Sequence, residues 1–253
     1  MAKIELNFHP ITIFKGLLGI ITVLLILNML STYVYLTTEN FRSYHNFFIR
    51  LFDFSHEGNV PAYFSSLLLL FASSLLFLIS FTEKLSQRKH LGWMGLGFVF
   101  AFLAIDEAVA IHEYFTEVFR NSLNLSGYLY YAWVIPYGIG VLALAFAYIP
   151  FFLKLDLRMF KLMMLSGVVF ITGAIGLELI GGKWFVEGSP KLTLMILYTV
   201  EELLEMVGVS IFIYSLLWYI SIRDRKLSVE VIPNPSDIEG SNQNRTVQDT
   251  FFR

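Results

Sequence analysis

The sequence predicts an all-α polytopic membrane protein, a bundle of six transmembrane helices. Two observations carry that prediction. Of the 253 residues, 56% are hydrophobic and only 15% charged, against about 25% charged in ordinary soluble domains. Apolar runs long enough to cross a bilayer also recur along the chain, separated by short polar connectors. The formal net charge of −2 gives no footing for a nucleic-acid partner. With no cysteine, disulfides, thiolate metal sites and cysteine nucleophiles are excluded.

Residues 1–13 form a short N-terminal segment, and the transmembrane domain covers 14–222. Its first span, 14–36, begins like a signal peptide but is too long and lacks a small-residue cleavage site, so it reads as a retained helix. The connector after it contains YHNFFIRLFDF, in which Phe47, Phe48, Leu51 and Phe52 share one side of a helix. That pattern suits a short helix lying in the headgroup layer. Pro61 stands where the first turn of the next helix tolerates a missing N–H, and the second span occupies 62–81. The third span, 91–111, runs into the acidic stretch AIDEAVAIHEYFTE.

The fourth span, 128–153, opens with Tyr128, Tyr130, Tyr131, Trp133 and Tyr137, as an interfacial aromatic belt would. Pro136, Gly138 and Gly140 predict a kink there. The fifth span, 159–182, carries Thr172, Gly173 and Gly176, small residues that permit close helix contact. The sixth is 200–222, and 223–253 reads as a disordered tail too polar to bury a core. Up to Lys226, lysines and arginines divide eleven to five in favour of the terminal flanks and the even-numbered loops. That bias predicts both termini cytoplasmic and the acidic stretch facing outward.

Ionisable groups inside a membrane are functional candidates by default, costing about 2.5–3.5 kcal/mol each at a helix centre on insertion scales. Asp106, Glu178 and Glu205 stand on three different spans. Counted from the cytoplasmic ends at about 1.5 Å per residue, they reach roughly 22, 28 and 25 Å, one layer just inside the outer boundary. On a continuous helix Asp106, Glu113 and Glu117 fall within about 40° of one another, while Glu107 and His112 point to either side. Glu201, Glu202 and Glu205 share an arc of about 100°. The plainer reading leaves Glu117, Glu107 and one of Glu201 or Glu202 facing water, His56 and Glu57 solvated in their loop, and the four tryptophans as interface anchors without chemistry.

The candidate ligand set is Asp106, His112, Glu113, Glu178, Glu202 and Glu205. Gathered carboxylates must share protons or be neutralised by a cation. Oxygen donors with one imidazole suit a divalent ion such as Mg, Ca, Mn, Fe or Zn. The expected function is therefore a divalent-metal site serving hydrolytic or redox chemistry on a lipid or other membrane-associated small molecule. The alternatives are a cation or proton transporter using the acids as relays, and a non-catalytic protein with a structural polar network. The sequence leaves open whether the protein is an enzyme. Glu-x-x-His pairs and HExxH are both absent. Ser65, Ser66 and Ser73 offer hydroxyls, but nothing beside them suggests a nucleophile. The cytoplasmic half shows no matching ionisable groups, which weighs against a path across the membrane.

Overall fold

In the computed structural model, residues 3–5, 9–38, 43–223 and 228–230 are described. Six helices are long and apolar enough to span a membrane. α1 (Pro10–Thr37) leads to a short α2 (Ser43–Phe52), then α3 (Val60–Leu85) and α4 (Leu91–Val109). α5 (Ile111–Leu123) comes directly after, then α6 (Val134–Phe152), α7 (Leu157–Ile171), α8 (Glu178–Val186) and α9 (Lys191–Arg223). The fifth span is α7 and α8 joined through a π-helical segment, Thr172–Leu177. A three-residue antiparallel pairing sets Lys3 opposite Glu230 near the two termini. Most of the tail expected to be disordered lies outside the described residues.

α9 is the axis of the bundle, packing against α1, α3, α7 and the π segment. Leu76, Ile79, Met159, Met206, Ile213 and Leu216 fill the core around it. In lipid, helices associate through close packing and hydrogen bonds rather than through the hydrophobic effect, and both are present. Ser66, Ser73 and Ser80 of α3 donate to the carbonyls of Ala104, Gly97 and His90, at 2.7, 2.8 and 3.1 Å. Ser66 and Ser73 are thereby accounted for as helix glue. Close packing brings backbones together at Gly173, where a Cβ would come within 2.8 Å of the Glu201 carbonyl oxygen. Of the small residues expected to admit a neighbour, this is the one α9 uses.

Three local departures from regular helix shape the acidic end of the bundle. The third span stops at Val109, because Ala110 adopts a left-handed conformation (φ 56°, ψ 45°) and the chain restarts as α5. The fourth helix begins only at Val134, preceded by a 3-10 turn at Gly127–Leu129. Pro136 thus lies in a first turn, where it disturbs nothing, and the proline inside this helix is Pro150. The third is the π-helical segment Thr172–Leu177 ahead of Glu178; α9, regular throughout, begins at Lys191 rather than 200, which adds Tyr198 to the helix of Glu201 and Glu205.

Candidate functional site

The turn at Ala110 rearranges the acidic stretch. An alanine at positive φ costs on the order of 1 kcal/mol, and Asp106 stabilises the arrangement. Asp106 is 5% exposed, and its Oδ1 accepts the backbone N–H of His112 at 2.8 Å. The same oxygen lies 3.4 Å from His112 Nδ1. The continuous stripe of Asp106, Glu113 and Glu117 therefore does not form, since the helix that would carry it is broken between them.

On the other side of the imidazole, Nε2 of His112 lies 2.9 Å from Glu57 Oε1. Glu57 comes from the α2–α3 loop, which a local network folds tightly. Asp53 accepts from Ser55 N–H (3.0 Å) and Ser55 Oγ (2.7 Å) and faces His56 Nδ1 at 3.2 Å. Asn59 caps α3 by accepting from Ala62 N–H at 3.1 Å, and its amide donates to the carbonyls of Asp53 and His56 at 2.7 Å each. Gly58 supplies the positive φ of 68° that the turn requires. The loop is anchored from below by Asn28, whose Oδ1 accepts Phe54 N–H at 3.0 Å while its amide donates to Thr199 at 2.8 Å. Asp53, just past the end of α2, is buried. Glu57 is held over the site rather than solvated at large.

Burial opposes the charged form of His112, but the hydrogen bonds to Asp106 and Glu57 outweigh it and push the ring up to about 11. His112 is thus an imidazolium clamped between two carboxylates. Glu113 is raised by burial, with Glu57 adding to the effect and His112 opposing it.

A cavity of about 340 Å³ opens beside this clamp, lined by Glu57, Glu113, Glu117, Glu178, Glu201 and Glu202 among others. Among the described residues, only His56, His112 and Arg120 bring basic groups to its wall, and Arg120 lies over the Tyr130 ring at 4.7 Å. Glu178 directly succeeds the π segment, and its Oε1 accepts the indole N–H of Trp133 at 2.8 Å. Its carboxyl also lies within hydrogen-bonding reach of Glu201. Tyr131 and Tyr198 pair through their hydroxyls at 2.8 Å on the same wall, and burial, then that pairing, raises Tyr131.

Two buried polar atoms at the cavity have no hydrogen-bond partner, Glu201 Oε2 and Thr116 Oγ1. Glu201 is 7% exposed, so it is not the water-facing member of its pair. Trp133 is no lipid anchor either. It is 8% exposed, packs 5.0 Å from the His112 ring, and uses its N–H on Glu178 because a desolvated indole needs an acceptor.

Of the six candidate ligands, His112, Glu113, Glu178 and Glu202 line the cavity. Asp106 stands behind His112. Glu205 interacts electrostatically with Glu107, His112, Glu178 and Glu57 without reaching the cavity wall. Both ring nitrogens of His112 face carboxylates. Among the described residues, no three His, Asp or Glu side chains form a ready-made metal-ligating group. Glu57, Glu201, Tyr131 and Trp133 are members that sequence reasoning left outside the ligand set, and Tyr198 is one it did not weigh. The adjacent pair Glu201-Glu202 on an apolar helix was the available signal for one of them.

The fold and the site define a multi-span membrane protein with an acid-rich cavity at one end of its helix bundle. Residues 17–220 match the family described as "Domain of unknown function (DUF8692)", and the chain belongs to that family. Neither a curated protein nor a solved structure matches the chain.

Proposed function

We propose that the cavity binds a divalent cation whose arrival draws the carboxyl groups of Glu178, Glu201 and Glu202 together into a ligand set they do not form beforehand, with Glu57 and Glu113 at its mouth. The observation that carries this reading is the orphaned Glu201 Oε2. A buried acceptor without a donor costs about 1–3 kcal/mol or more, and it stands beside further acids that lack matching cations. The donor set is all oxygen, which suits a hard ion. His112 has the role of a charged clamp rather than a ligand, and Asp106 positions it. A metal held there would supply Lewis acidity and an activated water for hydrolytic or redox chemistry on a membrane-associated small molecule. The bias of lysine and arginine supports an orientation with both termini cytoplasmic and the cavity on the outer side.

The test is titration of the purified full chain with Mn²⁺, Mg²⁺ and Zn²⁺ by calorimetry, beside elemental analysis. One ion should bind per chain. Glu201→Gln and Glu178→Gln should each weaken binding at least tenfold while melting temperature holds. Absence of binding by all three ions, or unchanged affinity in both variants, would leave a proton-sharing network in the metal's place.

A further inference from the structure

A second cavity, of about 490 Å³, lies at the same end of the bundle and has the opposite character. Tyr35 in the last turn of α1, Arg50 on α2, His56 in the α2–α3 loop and Lys191 at the start of α9 contribute to its wall. These positions are the ends of two spanning helices and a short flanking helix, so the cavity sits at the membrane boundary.

Its charge is unbalanced toward positive. Asp53 is the carboxylate on the wall, and it is already committed to His56 at 3.2 Å and to Ser55. Among the described residues, neither Arg50 nor Lys191 forms an ion pair with a carboxylate. Lys191 donates to the Tyr35 hydroxyl and lies over that ring at 4.2 Å from its centroid, an arrangement that fixes an ammonium without neutralising it. Arg50 and Lys191 both act on the charge of His56, which sets the three basic groups within electrostatic reach of one another.

From this geometry we propose that the second cavity binds a phosphate group, that of a phospholipid headgroup or free phosphate. Arginine offers a planar fork of donors, and lysine adds a point charge. Asn46 completes the polar wall, while Ile49 and Met195 close the apolar side. Phe47, on the same short helix, is 65% exposed, which places an apolar anchor next to the cavity where acyl chains would lie. The site is independent of the carboxylate cavity, sharing with it only Ser55 and His56.

The experiment uses the full chain in detergent and three probes: a short-chain phosphatidylglycerol, the matching diacylglycerol without phosphate, and inorganic phosphate. The phospholipid should bind stoichiometrically by native mass spectrometry and calorimetry, and the diacylglycerol should not. Arg50→Gln/Lys191→Gln should weaken phospholipid binding at least tenfold, and the charge-preserving Arg50→Lys/Lys191→Arg should recover most of it. Inorganic phosphate that displaces the lipid only at much higher concentration identifies a headgroup site. Phosphate binding as tightly as the lipid identifies a free-anion site. If the double variant does not fold, the two single variants are read separately, each with a smaller loss. Equal binding of diacylglycerol and phospholipid, or wild-type affinity in a folded charge-removing variant, overturns the proposal. Divalent-cation binding should be unchanged in every variant, which separates this result from the carboxylate cavity.

Discussion

Glu83 and Glu201 are both buried glutamates on spanning helices, 4% and 7% exposed, at opposite ends of the bundle. Glu83 is fully matched. Arg88 Nε lies 2.9 Å from one carboxyl oxygen, Arg223 Nε lies 3.4 Å from the other, and the Tyr219 hydroxyl donates to it at 2.8 Å. That knot ties the end of α3 to the end of α9. Glu201 has acids for neighbours and one oxygen with no partner at all. Burial is therefore a poor guide to role in this protein, and charge balance is the better one. The knot at Glu83 also refines the expectation that the half opposite the cavity has no ionisable groups to match the acids, because a buried acid does stand there. Its charge is already neutralised by two arginines, so it is a latch and not a relay.

The contrast between the two ends should break most severely at the clamp that borders the cavity. Asp106→Ala leaves an imidazolium facing Glu57 alone and strips the acceptor from a backbone N–H at a left-handed turn. Removing one partner of a buried charged pair costs about 3–5 kcal/mol, and a melting temperature lower by roughly 10 °C is the expected result in a detergent melt. A variant that melts like wild type would mean the turn at Ala110 holds without Asp106.

The two buried glutamates should then respond unequally. Glu83→Ala unpairs two half-exposed arginines, whose charges water screens, and orphans the Tyr219 hydroxyl, so a loss of about 1–3 kcal/mol is expected. Glu201→Gln replaces one carboxyl of a crowded acid cluster with an amide of the same shape. In metal-free buffer it should leave stability within about 1 kcal/mol of wild type or raise it. Parallel thermal melts of the two variants check this, and a large loss in Glu201→Gln would place that residue in a structural network.

The smallest expected effect lies in the loop that carries Glu57. Burial would raise Asp53, but hydrogen bonds from His56 and Ser55 lower it overall. His56 is raised by its hydrogen bond to Asp53, against burial and the nearby cations. The Asp53 contribution is present above its unfolded pKa and lost as pH falls through the lower folded value. The His56 contribution is present below its unfolded pKa and lost as pH rises through the higher folded value. Loop protection in hydrogen exchange should therefore be greatest between roughly pH 4 and 6.5 and decline on both sides. Asp53→Asn should flatten that profile.

The six spans and the gathering of acids at one end were legible because lipid imposes length and apolarity on helices and makes every buried charge conspicuous. The architecture around those acids was not. Nothing in AIDEAVAIHEYF announces a break at Ala110, since alanine is the strongest helix former; the break depends on the capping contact that Asp106 makes with His112, six residues on. Glu57 sits in a polar loop, where only the tertiary fold-back over His112 distinguishes it from a solvated residue. Trp133 resembles an interfacial anchor until its N–H is seen on Glu178. Hydropathy pointed to the acids, and the partners had to come from three-dimensional contacts.

The π-helical stretch Thr172–Leu177 has a consequence of its own. A helix widened in this way carries a surplus residue relative to regular winding, so everything after it is turned by about a quarter of a revolution from where uninterrupted counting would put it. Glu178 is the first residue to inherit that offset. Its aim at Trp133 and Glu201 is thus a matter of tally as much as of chemistry. A glutamate kept in place but preceded by one residue fewer would look around the barrel of its own helix in a different direction, which makes the spacing from Leu157 to Glu178 as much a part of the site as the carboxylate itself.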